Sequence, residues 1–168
     1  MKSIIAIAIF AVVLSGRAPQ DKPAERPDQH HTGVNERGDH VMGFSHEKTT
    51  HHFRLFADGG AIEVTANDVK DSASLDQIRT HLGHIAGMFS AGNFEAPMLI
   101  HGVNPPGVAG MKELREKIEY KYGNMEHGGR VRITTHDSGA LKAVHEFLRF
   151  QINDHRTGDS TDITRSSK

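Results

Sequence analysis

"THHFRLFADGGAIEVTAND", residues Thr50 to Asp68, is the stretch on which the fold turns. It reads as two strands joined at Asp58-Gly59-Gly60, because Asp-Gly and Gly-Gly supply the positive backbone angles that a tight hairpin turn requires. In the second strand Ile62, Val64 and Ala66 alternate with Ala61, Glu63 and Thr65, so one face is apolar and the other wet. In the first, His51 shares parity with Phe53 and Leu55, which face inward, whereas His52 goes with Arg54 to the opposite face. A helix follows from around Ser72, with Asp71 or Ser72 as N-cap. Leu75, Ile78, Leu82, Ile85 and Phe89 fall at helical spacing along its buried stripe.

The pattern recurs downstream. "EYKYGNMEHGGRVRITTHD" (Glu119 to Asp137) is again strand, Gly-Gly turn, strand, and "SGALKAVHEFLRFQI" (Ser138 to Ile152) is again a helix. Placing Gly59-Gly60 on Gly128-Gly129 aligns "IEVTAND" with "VRITTHD", and Leu75, Ile78 and Leu82 then fall on Leu141, Val144 and Leu148. The expected fold is therefore α+β: two ββα units related by internal duplication, with a mostly antiparallel sheet covered by helices. Between the units, "APMLIHG" fits a short buried strand or a packed loop, and "NPPG" breaks the chain before a helical stretch from Gly110 to Ile118.

Outside this core the chain reads differently. Residues 1–16 form an export signal: Lys2 supplies the positive charge, and "SIIAIAIFAVVL" is shorter than the roughly 20 residues a membrane-spanning helix needs. Its end, "LSGR", is similar to a lipobox, but Arg17 stands where the lipidated cysteine would be, so no lipid thioether forms and no stable membrane insertion is expected after signal removal. Residues 17–41, with three prolines and almost nothing apolar, read as a disordered linker. The folded domain is expected at 42–154, and 155–168 as a flexible polar tail. The compartment implied is periplasmic or secreted.

Composition narrows the function classes. A formal net charge of -1 offers no electrostatic footprint for nucleic acid. With no cysteine, disulfides, thiolate zinc sites, iron–sulfur clusters and thiol nucleophiles are all excluded. Thirteen histidines and six methionines remain as nitrogen and sulfur donors.

Those donors group within "THLGHIAGMF" (Thr80 to Phe89). Winding this helix at about 100° per residue sets Leu82, Ile85 and Phe89 into the core stripe and His81, His84 and Met88 together on its flank. Two imidazoles and a thioether form a borderline-to-soft set that suits copper, above all Cu(I). Completion of the site would come from Met98 and His101 in "APMLIHG" or from His51. Asp76, Gln77 or Glu95 are available to orient a ring nitrogen. Against this stands the fact that His-x-x-His occurs on helices without metal, and that Met88 borders the apolar face, where methionine commonly fills gaps.

Catalytic motifs are weaker. "HEKTTHH" places His46 and His51 one residue too far apart for the His-Glu-x-x-His zinc-protease helix, and "DSGAL" is a helix cap without the strand–elbow context of a hydrolase serine. His101 acting as a base beside Glu95 is the remaining hydrolase or lyase reading. A second class is an interaction or structural module with incidental histidines, such as a homodimer formed through sheet edges or a complex with an exported partner protein.

"MGFSHEKTTHHFRLFADGGAIEV", "APMLIH" and "GGRVRITT" together resemble a family of small exported bacterial proteins of uncharacterised activity, over Met42 to about Gln151. The resemblance implies one secreted domain and assigns no catalytic residue. The expectation carried forward is an exported protein that binds a transition metal, copper best matching, through His81, His84, Met88, His101, Met98 and His51, for sequestration or transfer.

Overall fold

The computed structural model describes residues 27–165; the export signal and residues 17–26 of the expected linker lie outside them. The order is α1 (Pro27–Met42), β1 (Thr49–Phe56), β2 (Gly59–Ala66), α2 (Ser72–Ser90), α3 (Glu95–His101), α4 (Val108–Glu113), a 3-10 turn at Arg115–Lys117, β3 (Ile118–Met125), β4 (Gly128–Thr135) and α5 (Ser138–Asp154). The four strands form one antiparallel sheet in the order β1-β2-β4-β3. The fold is α+β and is built from two ββα units, as the alternation predicts; the turns, however, are Ala57-Asp58 and Glu126-His127, and the Gly-Gly pairs expected there are the first residues of β2 and β4.

The register shows how the units meet. β2 and β4 pair centrally, and Ile62 faces Val131, its own equivalent under the Gly-Gly alignment. A pseudo-twofold axis therefore passes between these two side chains. It explains the paired glycines. A Cβ on Gly59 would stand 2.1 Å from the Ile133 carbonyl oxygen, and one on Gly128 would stand 1.8 Å from that of Val64, the symmetry-related contact. The helix caps repeat as well: Asp71 accepts from the Ser74 N–H, and Asp137 from the Gly139 and Ala140 N–H groups.

Alternation along each strand sends Phe53, Leu55, Ile62, Val64, Val131 and Ile133 to one face, where α2 and α5 cover them and all six are buried. Each helix lies mainly over the other unit's strands, α2 on β3 and β4, α5 on β1 and β2. Neither unit can bury its apolar surface alone. The opposite face carries His52, Arg54, Glu63, Arg130 and Arg132, half-buried, with Glu63 3.6 Å from Arg54 and 3.9 Å from Arg130.

Three segments differ from expectation. Residues 27–41, read as disordered linker, are helical in α1. The helix has few apolar residues, but Val34 is fully buried and the Arg37 Nε–H donates to the Ile100 carbonyl at 2.8 Å, so its stability comes from α3, against which it packs. "APMLIHG" is neither strand nor loop: residues 95–101 are α3, ended by Gly102 in the left-handed conformation. The expected tail is pinned over 155–165. The Thr164 N–H donates to the Leu55 carbonyl and the Ala57 N–H to the Thr164 carbonyl, each at 3.0 Å, which covers the outer edge of β1. No helix among the described residues is long and apolar enough to cross a membrane.

Candidate functional site

Where α1, β1, α2, α3 and α5 converge, they line a half-open cavity of about 50 Å³, with Met42, His51, His81, His101, Gln151 and His155 among its walls. That is room for roughly three water-sized groups. Strand parity brings His51 in beside Phe53. His81 arrives on the side of α2 next to the buried Leu82. His101 is the last residue of α3 and only 1% exposed, and His155 is the C-cap of α5.

The rings form a continuous chain of contacts. His101 packs edge-on to His155 with centroids 4.8 Å apart, and His155 stacks on His51 at 5.8 Å with planes 2° apart. Phe44 stacks on His51 and packs edge-on to His81. Because an imidazole lone pair lies in the ring plane, the parallel stack keeps the His51 and His155 lone pairs from meeting at one point. Among the described residues, no group of three or more His, Asp or Glu side chains is placed so that it could hold a metal ion.

Electrostatics set three of these rings apart. Burial, reinforced by His81 and His52, pushes His51 down to about 4. Burial and the nearby His84 push His81 to about 4, and burial with His101 and His51 pushes His155 to about 3. All three are neutral near pH 7 and keep lone pairs available.

His101 has a different environment. Its Nδ1–H donates to Asp154 Oδ2 at 2.5 Å, and the other Asp154 oxygen takes the His30 Nε2–H at 2.8 Å. Burial pushes the Asp154 carboxyl up, but the hydrogen bonds from His101 and His30 outweigh it and hold it below the usual range. His101 Nε2 lies 3.0 Å from the side-chain amide of Gln151. The amide nitrogen of Gln151 is buried without a protein acceptor.

Of the six residues expected to hold metal, the structure brings His51, His81 and His101 to one cavity. His84 is exposed, in a surface groove beside His81. Met88 is half-buried and packs against the hydrophobic core, as its position on the border of the apolar stripe allows, and Met98 is 37% exposed on α3. The orienting carboxylate is Asp154, whereas Asp76 and Glu95 are exposed; His101 thus pairs with Asp154 and not, as the hydrolase reading required, with Glu95. Sequence reasoning missed His155. Continuing the α5 stripe from Val144 through Leu148 and Gln151 reaches it, but the polar "NDHRTGD" around it resembles a frayed end. No known protein family, curated protein or solved structure matches the chain.

Proposed function

We propose that the chain is an exported protein that binds a transition-metal ion, copper best matching, at the cavity through His51, His81 and His155, for sequestration or transfer. The observation that carries this reading is the presence of three imidazoles, from three separate elements, kept uncharged by burial and lining one cavity. Metal ligation requires the neutral ring, so these donors need lose no proton. Met42 adds a thioether at the same wall, which favours a soft ion. Loading requires the stacked His51 and His155 to swing apart, a turn about side-chain torsions within an otherwise fixed frame.

The test is titration of the full chain with Cu(I) and Cu(II) against competing chelators. One ion per chain is expected, with His51→Ala or His155→Ala weakening binding about 100-fold and Met88→Leu or Met98→Leu leaving it within about twofold. Binding weaker than about micromolar, or indifferent to His51 and His155, refutes the reading.

A further inference from the structure

The pseudo-twofold relates the two outer edges of the sheet, and the structure covers them unequally. In each hairpin a two-residue turn closes on a facing pair, Phe56 with Gly59 and Met125 with Gly128. Counting back from that pair, alternate residues turn their N–H and C=O groups away from the hairpin partner. These are Leu55 and Phe53 on β1, and Asn124, Tyr122 and Tyr120 on β3. On β1 they are taken: the Leu55 carbonyl accepts the Thr164 N–H, and the Phe53 N–H goes to Asp159. On β3, among the described residues, no backbone group of Tyr120, Tyr122 or Asn124 bonds beyond the hairpin. β3 is eight residues long, keeps an unbroken register with β4 and contains no proline. Such an edge is a template for another strand.

We infer that β3 pairs with β3 of a second copy of this chain, antiparallel, about a twofold axis at Tyr120. The side chains select both the occupant and the register. Lysine on an edge strand ordinarily resists self-pairing, and Lys121 and Glu119 are both exposed on the wet face of β3. Glu119 accepts from the Thr134 hydroxyl at 3.3 Å, and among the described residues neither it nor Lys121 takes part in an ion pair. With the axis at Tyr120, Glu119 of each copy stands opposite Lys121 of the other, at the non-hydrogen-bonded positions where side chains come closest. An axis at Lys121 or at Glu119 sets like charges face to face, and one at Tyr122 sets Lys121 against Gly123. On the helix-covered face the same register lays the half-buried Tyr122 beside Ile118 of the second copy, an aromatic ring on a β-branched side chain. The Tyr120 backbone groups bond to their own counterparts, and each Tyr122 N–H reaches an Ile118 carbonyl. The Ile118 N–H stays with the Arg115 carbonyl inside the 3-10 turn. Growth stops at two copies, because the edges left outermost are both β1, which the segment through Asp159 and Thr164 covers. A short ladder with exposed ion pairs makes a reversible dimer, not an obligate one.

The experiment is sedimentation equilibrium of the full chain, without metal, over a wide range of concentrations. A monomer–dimer equilibrium with Kd of about 10–100 µM is expected. Lys121→Glu and Glu119→Lys should each weaken dimerisation at least about 10-fold, and the two together, which restore opposite charges across the axis, should return it to within about threefold of the unaltered chain. Both side chains are exposed, and thermal melts check that each variant keeps its fold. A chain that stays monomeric up to about 1 mM overturns the inference. So does a dimer that neither single reversal weakens, which would be held through another surface, or a double variant as weak as the singles. The pairing lies away from the cavity, so its failure leaves the metal-binding reading standing, and the failure of that reading leaves the dimer.

Discussion

His101 Nδ1, at the end of α3, lies 2.5 Å from Oδ2 of Asp154, the last residue of α5, and the second oxygen of that carboxylate binds His30 on α1. One half-buried carboxylate ties three helices together at the rim of the cavity. Asp154→Asn keeps the shape but offers a single acceptor and no charge. It is expected to lower unfolding free energy by about 2 kcal/mol in urea titration, since hydrogen bonds to charged groups contribute about 1.5–3 kcal/mol each. A change under about 0.5 kcal/mol would show that the helices are held by packing alone.

The half-buried imidazoles predict a pH dependence. For His51, His81 and His155 the folded values, about 4, 4 and 3, lie below the ordinary 6.5, so the unfolded chain binds more protons. Stability is therefore complete above about 6.5 and is lost as pH falls from there toward 4, by up to about 1.4 kcal/mol per histidine per unit. Asp154 and Asp159, with lowered values, withdraw their contributions only below the ordinary 3.8. Urea midpoints at pH 7.5, 6 and 5 should decline steadily. His155→Phe, which retains a ring in the stack, should flatten the slope by about one proton. A flat profile from pH 7.5 to 5 would contradict the burial of these rings.

At the end of the β2–β4 pair, Gly128→Ala would drive a Cβ to 1.8 Å from the Val64 oxygen, a backbone atom of the central strand pair that cannot step aside. A loss of at least about 3 kcal/mol, or failure to fold, is expected. Gly123→Ala on β3 meets nothing within 4 Å and should stay within about 1 kcal/mol. Parallel thermal melts of the two variants decide the matter, and equal effects would refute the close strand approach.

Asp159 predicts the behaviour of the last segment. Its carboxylate accepts from the Phe53 N–H at 2.9 Å, His52 Nδ1–H at 2.9 Å, Arg54 Nη1–H at 3.0 Å and the Thr157 hydroxyl at 2.8 Å. Asp159→Ala should release the segment from β1, cost about 2 kcal/mol and open the chain to protease cleavage after about residue 156. Cleavage rates equal to those of the unaltered chain would show that the Thr164 bridge suffices.

Both hairpins, the duplication and the buried stripes of α2 and α5 are legible because each is written in neighbouring residues: a period of two broken by polar and glycine residues, and a period of 3.6; the Gly-Gly pairs themselves serve the close approach of β2 and β4, not the turns. The same local logic found His51, by parity with Phe53, and His81, by its place on the flank of α2. It failed where stability is borrowed. α1 has too little apolar surface to be foreseen alone and depends on Ile100, some sixty positions along the chain. "APMLIHG" is short and apolar, a composition that strand and helix share, and Pro97 in the first turn of α3 removes no helical hydrogen bond. The polar segment after Asp154 holds its place through Asp159 and Thr164, whose partners lie on β1.

Periodicity thus specified the elements and which side of each is apolar, since those follow from side-chain spacing along a regular backbone. Tertiary structure decided which surfaces meet. The pseudo-twofold pairing of Ile62 with Val131 lays each helix over the other unit's strands, and only that crossing brings residues 51, 81, 101 and 155 to one cavity. It also separates His81 from Met88, which adjacency on one helix had joined: the packing of α2 against the sheet gives His81 to the cavity and Met88 to the core, a choice no spacing within the helix contains.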